Sequence, residues 1–184
     1  MERSISRMGT LELAYIAFGA ALMAICSWIS IPMAVPFTLQ TFAVFFVLQV
    51  LGGKAGTLSV LVYILMGALG LPVFSGFAGG MGVLFGNTGG YILGFVFVGL
   101  IYMGAEKLAE NKAVVRVTAL VLGLAVCYTF GTAWFMFLYM RHTGPVGIMT
   151  VLSWCVFPFI LPDLAKLALS IALAKRIRPL IKRY

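Results

Sequence analysis

The chain has 184 residues, 62% of them hydrophobic and only 10% charged, with a mean hydropathy of +1.10. That composition excludes an ordinary soluble domain, because apolar runs of about 20 residues mark membrane helices. The formal net charge of +8 brings nucleic acid to mind, yet the cations sit at helix ends and form no stripe. Membrane topology accounts for them, and no nucleic-acid partner is expected.

The length suits a single integral membrane domain over residues 1–184, built from about five to seven helices. Arg3 and Arg7 open the chain, but the apolar run from Met8 to Val35 exceeds a signal h-region of about 7 to 15 residues. It is expected to be a retained membrane helix over about 9–30. Ala17 with Ala21, and Ala20 with Ala24, give two small-xxx-small spacings. Small residues let backbones approach closely in lipid, so this face packs within the subunit or docks a separate membrane protein.

Pro32 and Pro36 end that helix, since proline cannot continue it. Thr38 and Gln40 open the next element. Helices follow over about 39–51 and 56–69, stopped by Gly52-Gly53-Lys54 and Gly70-Leu71-Pro72. Both are short for a hydrocarbon core of about 30 Å. Residues 72–88 carry no charge, five glycines and three phenylalanines. The stretch is too rich in glycine for a helix and too apolar for a solvated linker. Irregular backbone at membrane depth survives only when buried in protein or lining a cavity, so it reads as a lid or wall over a pocket.

A fourth helix is expected over 89–108, followed by a charged loop holding Glu106, Lys107, Glu110, Lys112 and Arg116. A fifth runs over 113–139 and ends at Arg141-His142-Thr143-Gly144-Pro145. Residues 146–157 suit a short interfacial helix, with Trp154 at the membrane boundary. The last helix starts near Pro162, where a first-turn proline is harmless, and runs to about 174.

The fold class is therefore all-α, a membrane protein with six transmembrane helices. Six crossings put both termini on one side, together with Arg3, Arg7, Lys54, Lys107, Lys112, Arg116, Lys175, Arg176, Arg178, Lys182 and Arg183; the other side receives Arg141 alone. Positive charge marks the cytoplasm, so both termini are expected there. The irregular outer loops at 31–38, 70–88 and 140–161 then cap a ligand pocket.

The chemistry concentrates in 158–166. Asp163 is the only aspartate in the chain, and Lys166 is a cation that no membrane end accounts for. Charges in lipid are costly unless paired or facing a cavity, and they mark a functional site by default. Three residues apart on a helix, the two share a face. They either neutralise each other or bind polar groups of a ligand. Pockets are mostly apolar with a few placed polar groups. Phe74, Phe77, Tyr91, Trp134 and Trp154 suit the first kind of surface; Gln40, Asn87, Asp163 and Lys166 suit the second. Asp163, placed in the first helical turn, also lies near the positive end of the helix dipole.

Catalysis has little support. His142 is the one histidine, no second carboxylate partners Asp163 at membrane depth, and no Ser/His, metal-binding or P-loop pattern occurs. Cys26, Cys127 and Cys155 form no CxxC and read as small core hydrophobes. No metal and no cofactor is expected in the chain. An intramembrane enzyme using Asp163 and Lys166 as an acid–base pair, or an accessory subunit with purely structural charges, are the readings outside transport.

Four stretches together carry a resemblance: Val35-Pro36-Phe37-Thr38-Leu39-Gln40-Thr41, Gly67-Ala68-Leu69-Gly70-Leu71-Pro72-Val73-Phe74, Gly86-Asn87-Thr88-Gly89-Gly90-Tyr91, and Pro158-Phe159 with Pro162-Asp163-Leu164-Ala165-Lys166. In this order the chain resembles the BioY family, the biotin-specific substrate-binding subunits (S components) of energy-coupling factor (ECF) transporters. Asn87 stands where that family more usually has proline, and Leu161-Pro162 replaces a more common Pro-Gly. The resemblance implies six membrane helices in a prokaryotic plasma membrane and an outward-facing biotin pocket. It also implies assembly with a transmembrane T subunit, docked on Ala17, Ala20, Ala21 and Ala24, and with two ATPase subunits that use the ATP. The expected ligand-binding set is Asp163, Lys166, Asn87, Tyr91, Gln40, Thr38 and Phe74. Biotin offers ureido N–H donors, a ureido carbonyl, an apolar fused ring and a carboxylate. Asp163 would accept from the ureido nitrogens and Lys166 would meet a carbonyl or anionic oxygen, with Arg141 the other candidate for the carboxylate. A subunit for another vitamin, riboflavin or thiamine, is the alternative within the same class.

Overall fold

The computed structural model describes residues 9–108 and 112–181. Arg3, Arg7, Glu110, Lys182 and Arg183 of the charge count and charged loop lie outside the described residues.

The described chain is helical throughout, apart from one short hairpin and its connecting loops. In order come α1 (Thr10–Trp28), β1 (Ser30–Ile31), β2 (Phe37–Thr38), α2 (Gln40–Leu51), α3 (Gly53–Ala68), a 3-10 turn (Ser75–Phe77), α4 (Met81–Leu84), α5 (Gly89–Leu108), α6 (Ala113–His142), α7 (Ile148–Cys155), α8 (Phe157–Ile177) and a closing 3-10 turn (Arg178–Leu180). Four stretches are long and apolar enough to cross a membrane: Thr10–Trp28, Gly89–Leu108, Ala113–His142 and Ile148–Leu180. At about 1.5 Å per residue, α2 and α3 are roughly 18 and 24 Å long. They are shorter apolar helices buried on much of their surface.

α2 is the hub, packing against α1, α3, α5 and α8. α5 and α6 form the most extensive pair, because glycines on each meet large groups on the other. Gly90 lies against Trp134, Gly94 against Cys127, and Gly131 against the Tyr91 ring, with no room for a Cβ at any of them. By contrast, α6 reaches α8 chiefly through α7. The gap so left becomes the cavity described below.

The final helix differs from its expected form. It begins at Phe157, not near Pro162, with Pro158 in its first turn and Pro162 inside it. Asp163 therefore lies nearly two turns in, and the helix N-terminus does not support its charge. Pro162 costs the helix one N–H, a loss that membrane helices tolerate where neighbouring protein covers the backbone.

Two cover segments hang from the last turn of α1. The hairpin pairs Ser30 with Thr38 and Ile31 with Phe37, and the Leu39 N–H donates to the Ile29 carbonyl at 3.2 Å. Further along, Ser27 Oγ donates to the Val73 carbonyl at 2.5 Å and Trp28 Nε1 to the Pro72 carbonyl at 2.8 Å. Phe77 stacks on Trp28 with ring centroids 5.1 Å apart. It adopts φ of 57°, a left-handed conformation that costs a bulky residue energy unless contacts hold it. The loop places Phe74 inward, edge-on to Tyr63 and 1% exposed. The expected lid over 72–88 is thus a built wall with one 3-10 turn and a single helical turn.

Ala20 and Ala24 are 0% and 5% exposed, packed inside the chain, whereas Ala17 and Ala21 are exposed. This corrects the expected docking stripe. Two of its four alanines already serve internal packing, and only Ala17 and Ala21 are open to a partner.

A Cβ at Gly67 would fall within the Phe74 ring. Gly67→Ala is expected to push Phe74 from its seat and destabilise the protein by about 1–3 kcal/mol, measured as a lower Tm in detergent.

Candidate functional site

The cavity lies between α2, α5, α6 and α8, under the two cover segments. Its walls include Val35, Pro36, Thr38, Gln40 and Thr41 from the hairpin and start of α2, and Phe74, Ser75, Val83 and Thr88 from the glycine-rich segment. Tyr91, Ile92, Phe95, Leu124, Cys127, Tyr128, Cys155, Phe159, Asp163 and Lys166 complete it. The space so bounded, counted so that it includes the open solvent at its mouth, is about 720 Å³.

Asp163 and Lys166 form its polar end. They are 2% and 7% exposed and pair at 2.8 Å between Lys166 Nζ and Asp163 Oδ1. Neither is left with the other alone. Thr41 Oγ1 donates to Asp163 Oδ1 at 2.9 Å, and the Tyr128 hydroxyl donates to Oδ2 at 2.6 Å. Lys166 Nζ also donates to the Thr38 carbonyl at 2.6 Å and to Thr41 Oγ1 at 3.2 Å. Phe37 covers the ammonium, 4.1 Å from Nζ to the ring centroid, a cation–π contact of the kind that gains strength with burial. Charges held in low dielectric are tolerated when hydrogen bonds fill their remaining valences, and this network does that from α2, α6, α8 and the hairpin.

The other expected residues divide. Thr38 and Gln40 line the cavity, and Gln40 Nε2 donates to the Tyr63 hydroxyl at 2.7 Å. Tyr91 lines it too, with its hydroxyl 2.9 Å from Thr132 Oγ1, and Phe74 forms wall beside it. Asn87 is exposed and outside the wall, and the neighbouring Thr88 takes that place. Phe77 is 63% exposed on the outside, against Trp28. Trp134 Nε1 ties down the Gly86 carbonyl at 3.0 Å, and Trp154 packs tilted on Tyr139; neither is wall. Arg141 is exposed over the Phe137 ring and lies outside the cavity. All three cysteines are buried and free, as expected of small hydrophobes, but Cys127 and Cys155 also face the cavity.

Two residues in the network were not foreseen. Thr41 closes the first quoted motif, where a hydroxyl one turn from Thr38 was the available signal. Tyr128 gave a fainter one, a hydroxyl-bearing residue in the middle of an apolar 30-residue helix.

With this geometry in view, the likenesses to other proteins are specific. The profile of the BioY family matches residues 1–183. The chain belongs to the BioY family. It is 42% identical over 161 residues to the "Biotin transporter BioY" of Thermotoga maritima, covering 87% of this chain and 91% of that protein. It is 38% identical over 168 residues to the "Probable biotin transporter BioY" of Pyrococcus horikoshii, covering 91% and 96%. A crystal structure of the S-component for biotin from an ECF-type ABC transporter superposes with a TM-score of 0.79 at 26% identity, over 94% of this chain and 95% of that one. As a BioY-family chain, it has its buried charge pair on the helix that carries the last of the four quoted stretches.

Lys166→Met alone strands a buried carboxylate, and its expected cost is about 3–5 kcal/mol. Adding Asp163→Asn removes the stranded charge, so the double variant is expected to regain most of that loss. Thermal unfolding of the three proteins in detergent checks the order; a double variant no more stable than Lys166→Met would show that the charge is not the cause.

Proposed function

We propose that this protein is the biotin-capturing membrane subunit of an ECF-type vitamin uptake system. The observation that carries the reading is the Asp163–Lys166 pair, held at one end of an otherwise largely apolar cavity by Thr41, Tyr128 and the Thr38 carbonyl. A cyclic urea presents an N–H beside a carbonyl. Asp163 Oδ2, which holds a single internal hydrogen bond among the described residues, accepts from that N–H. Lys166 reaches the carbonyl by exchanging its longest contact, the 3.2 Å one to Thr41. The fused ring rests on Phe74, Tyr91 and Phe159, and the valeryl chain runs toward the open side. Both named relatives and the solved relative are described for biotin, which favours it over riboflavin or thiamine. The relatives named above are described as a biotin transporter and a probable biotin transporter, which favours transport over an intramembrane enzyme.

The finer arrangement is part of the same proposal. α1, α2, α3, α5, α6 and α8 cross a prokaryotic plasma membrane, both termini are cytoplasmic, and the cover segments face outward. Lys54, Lys107, Lys112, Arg116, Lys175 and Arg176 then lie on the cytoplasmic side. The exposed alanines of α1, Ala17 and Ala21, are the part of the small-residue face open to a T subunit, and a pair of ATPases supplies the energy.

Two measurements test this. Protein purified in detergent is expected to retain biotin, identified by mass spectrometry, and Asp163→Asn is expected to weaken biotin binding at least tenfold through loss of a charge-assisted hydrogen bond worth about 1.5–3 kcal/mol. In intact cells, Phe77→Cys is expected to react with an impermeant thiol reagent and Lys54→Cys is not; the reverse pattern would invert the topology.

A further inference from the structure

The hydrogen-bond network leaves an imbalance between donors and acceptors at the polar end of the cavity. Three donor side chains meet Asp163. The three ammonium protons of Lys166 have three internal acceptors in Asp163 Oδ1, the Thr38 carbonyl and Thr41 Oγ1. The Thr41 hydroxyl proton goes to Asp163 Oδ1. The only proton of the Tyr128 hydroxyl goes to Asp163 Oδ2. A hydroxyl whose proton is committed has only lone pairs left to offer, and a carboxylate has nothing else. Tyr128 and Asp163 both line the cavity, and their oxygens lie 2.6 Å apart.

We propose that Tyr128 is a specificity-determining residue: its phenolic oxygen and Asp163 Oδ2 form an acceptor-only edge that selects ligands by an N–H donor. Tyr128 orients Oδ2 from α6, across the gap that keeps α6 off α8, and its own oxygen accepts beside it. An N–H entering there finds two oxygens close enough to share it. A ligand that presents an ether oxygen or an N-methyl group finds two lone pairs or a steric block, with no proton to take. An unpaired acceptor buried in such a place carries the full desolvation cost, which is how a site rejects the analogue lacking the donor. This inference rests on the biotin reading for the ligand's identity, but its geometry is that of the chain alone.

The test uses the full chain in detergent, as wild type and Tyr128→Phe. Biotin binding is titrated, and unfolding is followed with imidazolidin-2-one, the bare cyclic urea, and with 1,3-dimethylimidazolidin-2-one. The wild type is expected to bind biotin and to gain Tm with the bare urea but not with its dimethyl derivative. Tyr128→Phe is expected to bind biotin roughly 10- to 100-fold more weakly and to lose the preference between the two ureas. A purely structural role would lower the unliganded Tm and keep the preference, and a kept preference overturns the proposal. So does a wild type that does not distinguish the ureas, or a Tyr128→Phe protein that binds biotin as the wild type does. A wild type that ignores biotin but prefers the bare urea, with the preference lost in Tyr128→Phe, sinks the biotin reading and upholds Tyr128.

Discussion

The architecture depends on keeping one ion pair away from both lipid and bulk water. A carboxylate and an ammonium taken out of water lose several kcal/mol each, and their attraction repays this only when other groups complete their hydrogen bonding. Asp163 and Lys166 cannot achieve that from α8 alone. The completing groups come from three other places: Thr41 on α2, Tyr128 on α6 and the Thr38 carbonyl on the hairpin. Each reaches the pair only if its element is correctly placed. The demand of two charges for partners therefore fixes the mutual positions of elements far apart in the chain, including α6 and α8, which hardly pack on one another. A second polar contact lies deeper on the same helix, where Gln49 Nε2 donates to Ser170 Oγ at 2.8 Å and seals α2 to α8 below the cavity.

Elsewhere the chain is held together by close approach. Apolar side chains gain little by leaving lipid for protein, so helix association in a membrane leans on tight van der Waals contact. The α5–α6 pair shows how this is met, with glycines on both helices accepting Trp134, Cys127 and Tyr91. The same contacts seat Tyr91 and Cys127 in the cavity wall. Tight packing on one side of the molecule and an open space on the other come from one distribution of small and large residues.

How much of this was legible depended on the kind of signal. α5 is found at its expected bounds, Gly89–Leu108, because glycine and charge punctuate it at both ends. The charge pair stood out because Asp163 has no other aspartate for company. The start of α8 was misplaced because two prolines, Pro158 and Pro162, each fit a first turn by their local chemistry; only tertiary packing shows that Pro162 lies inside the helix. The alanine stripe on α1 left packing within the subunit and docking of a partner both open, because sequence spacing cannot tell an inner face from an outer one when all faces are apolar; Ala20 and Ala24 lie inside and Ala17 and Ala21 outside. Tyr128 was missed for a related reason. Its hydroxyl becomes informative only when α6 and α8, 35 residues apart at the contact, are seen together. Asn87 drew notice for its motif, yet a turn displaces it outward and leaves Thr88 to face the cavity.

The end of α1 carries one more implication. Ser27 and Trp28 grip the glycine-rich segment, and Ile29 leads directly into the hairpin whose Thr38 carbonyl is tethered to Lys166. A single helical turn of α1 therefore anchors both halves of the roof, and the hairpin half is held at its other end by the buried pair.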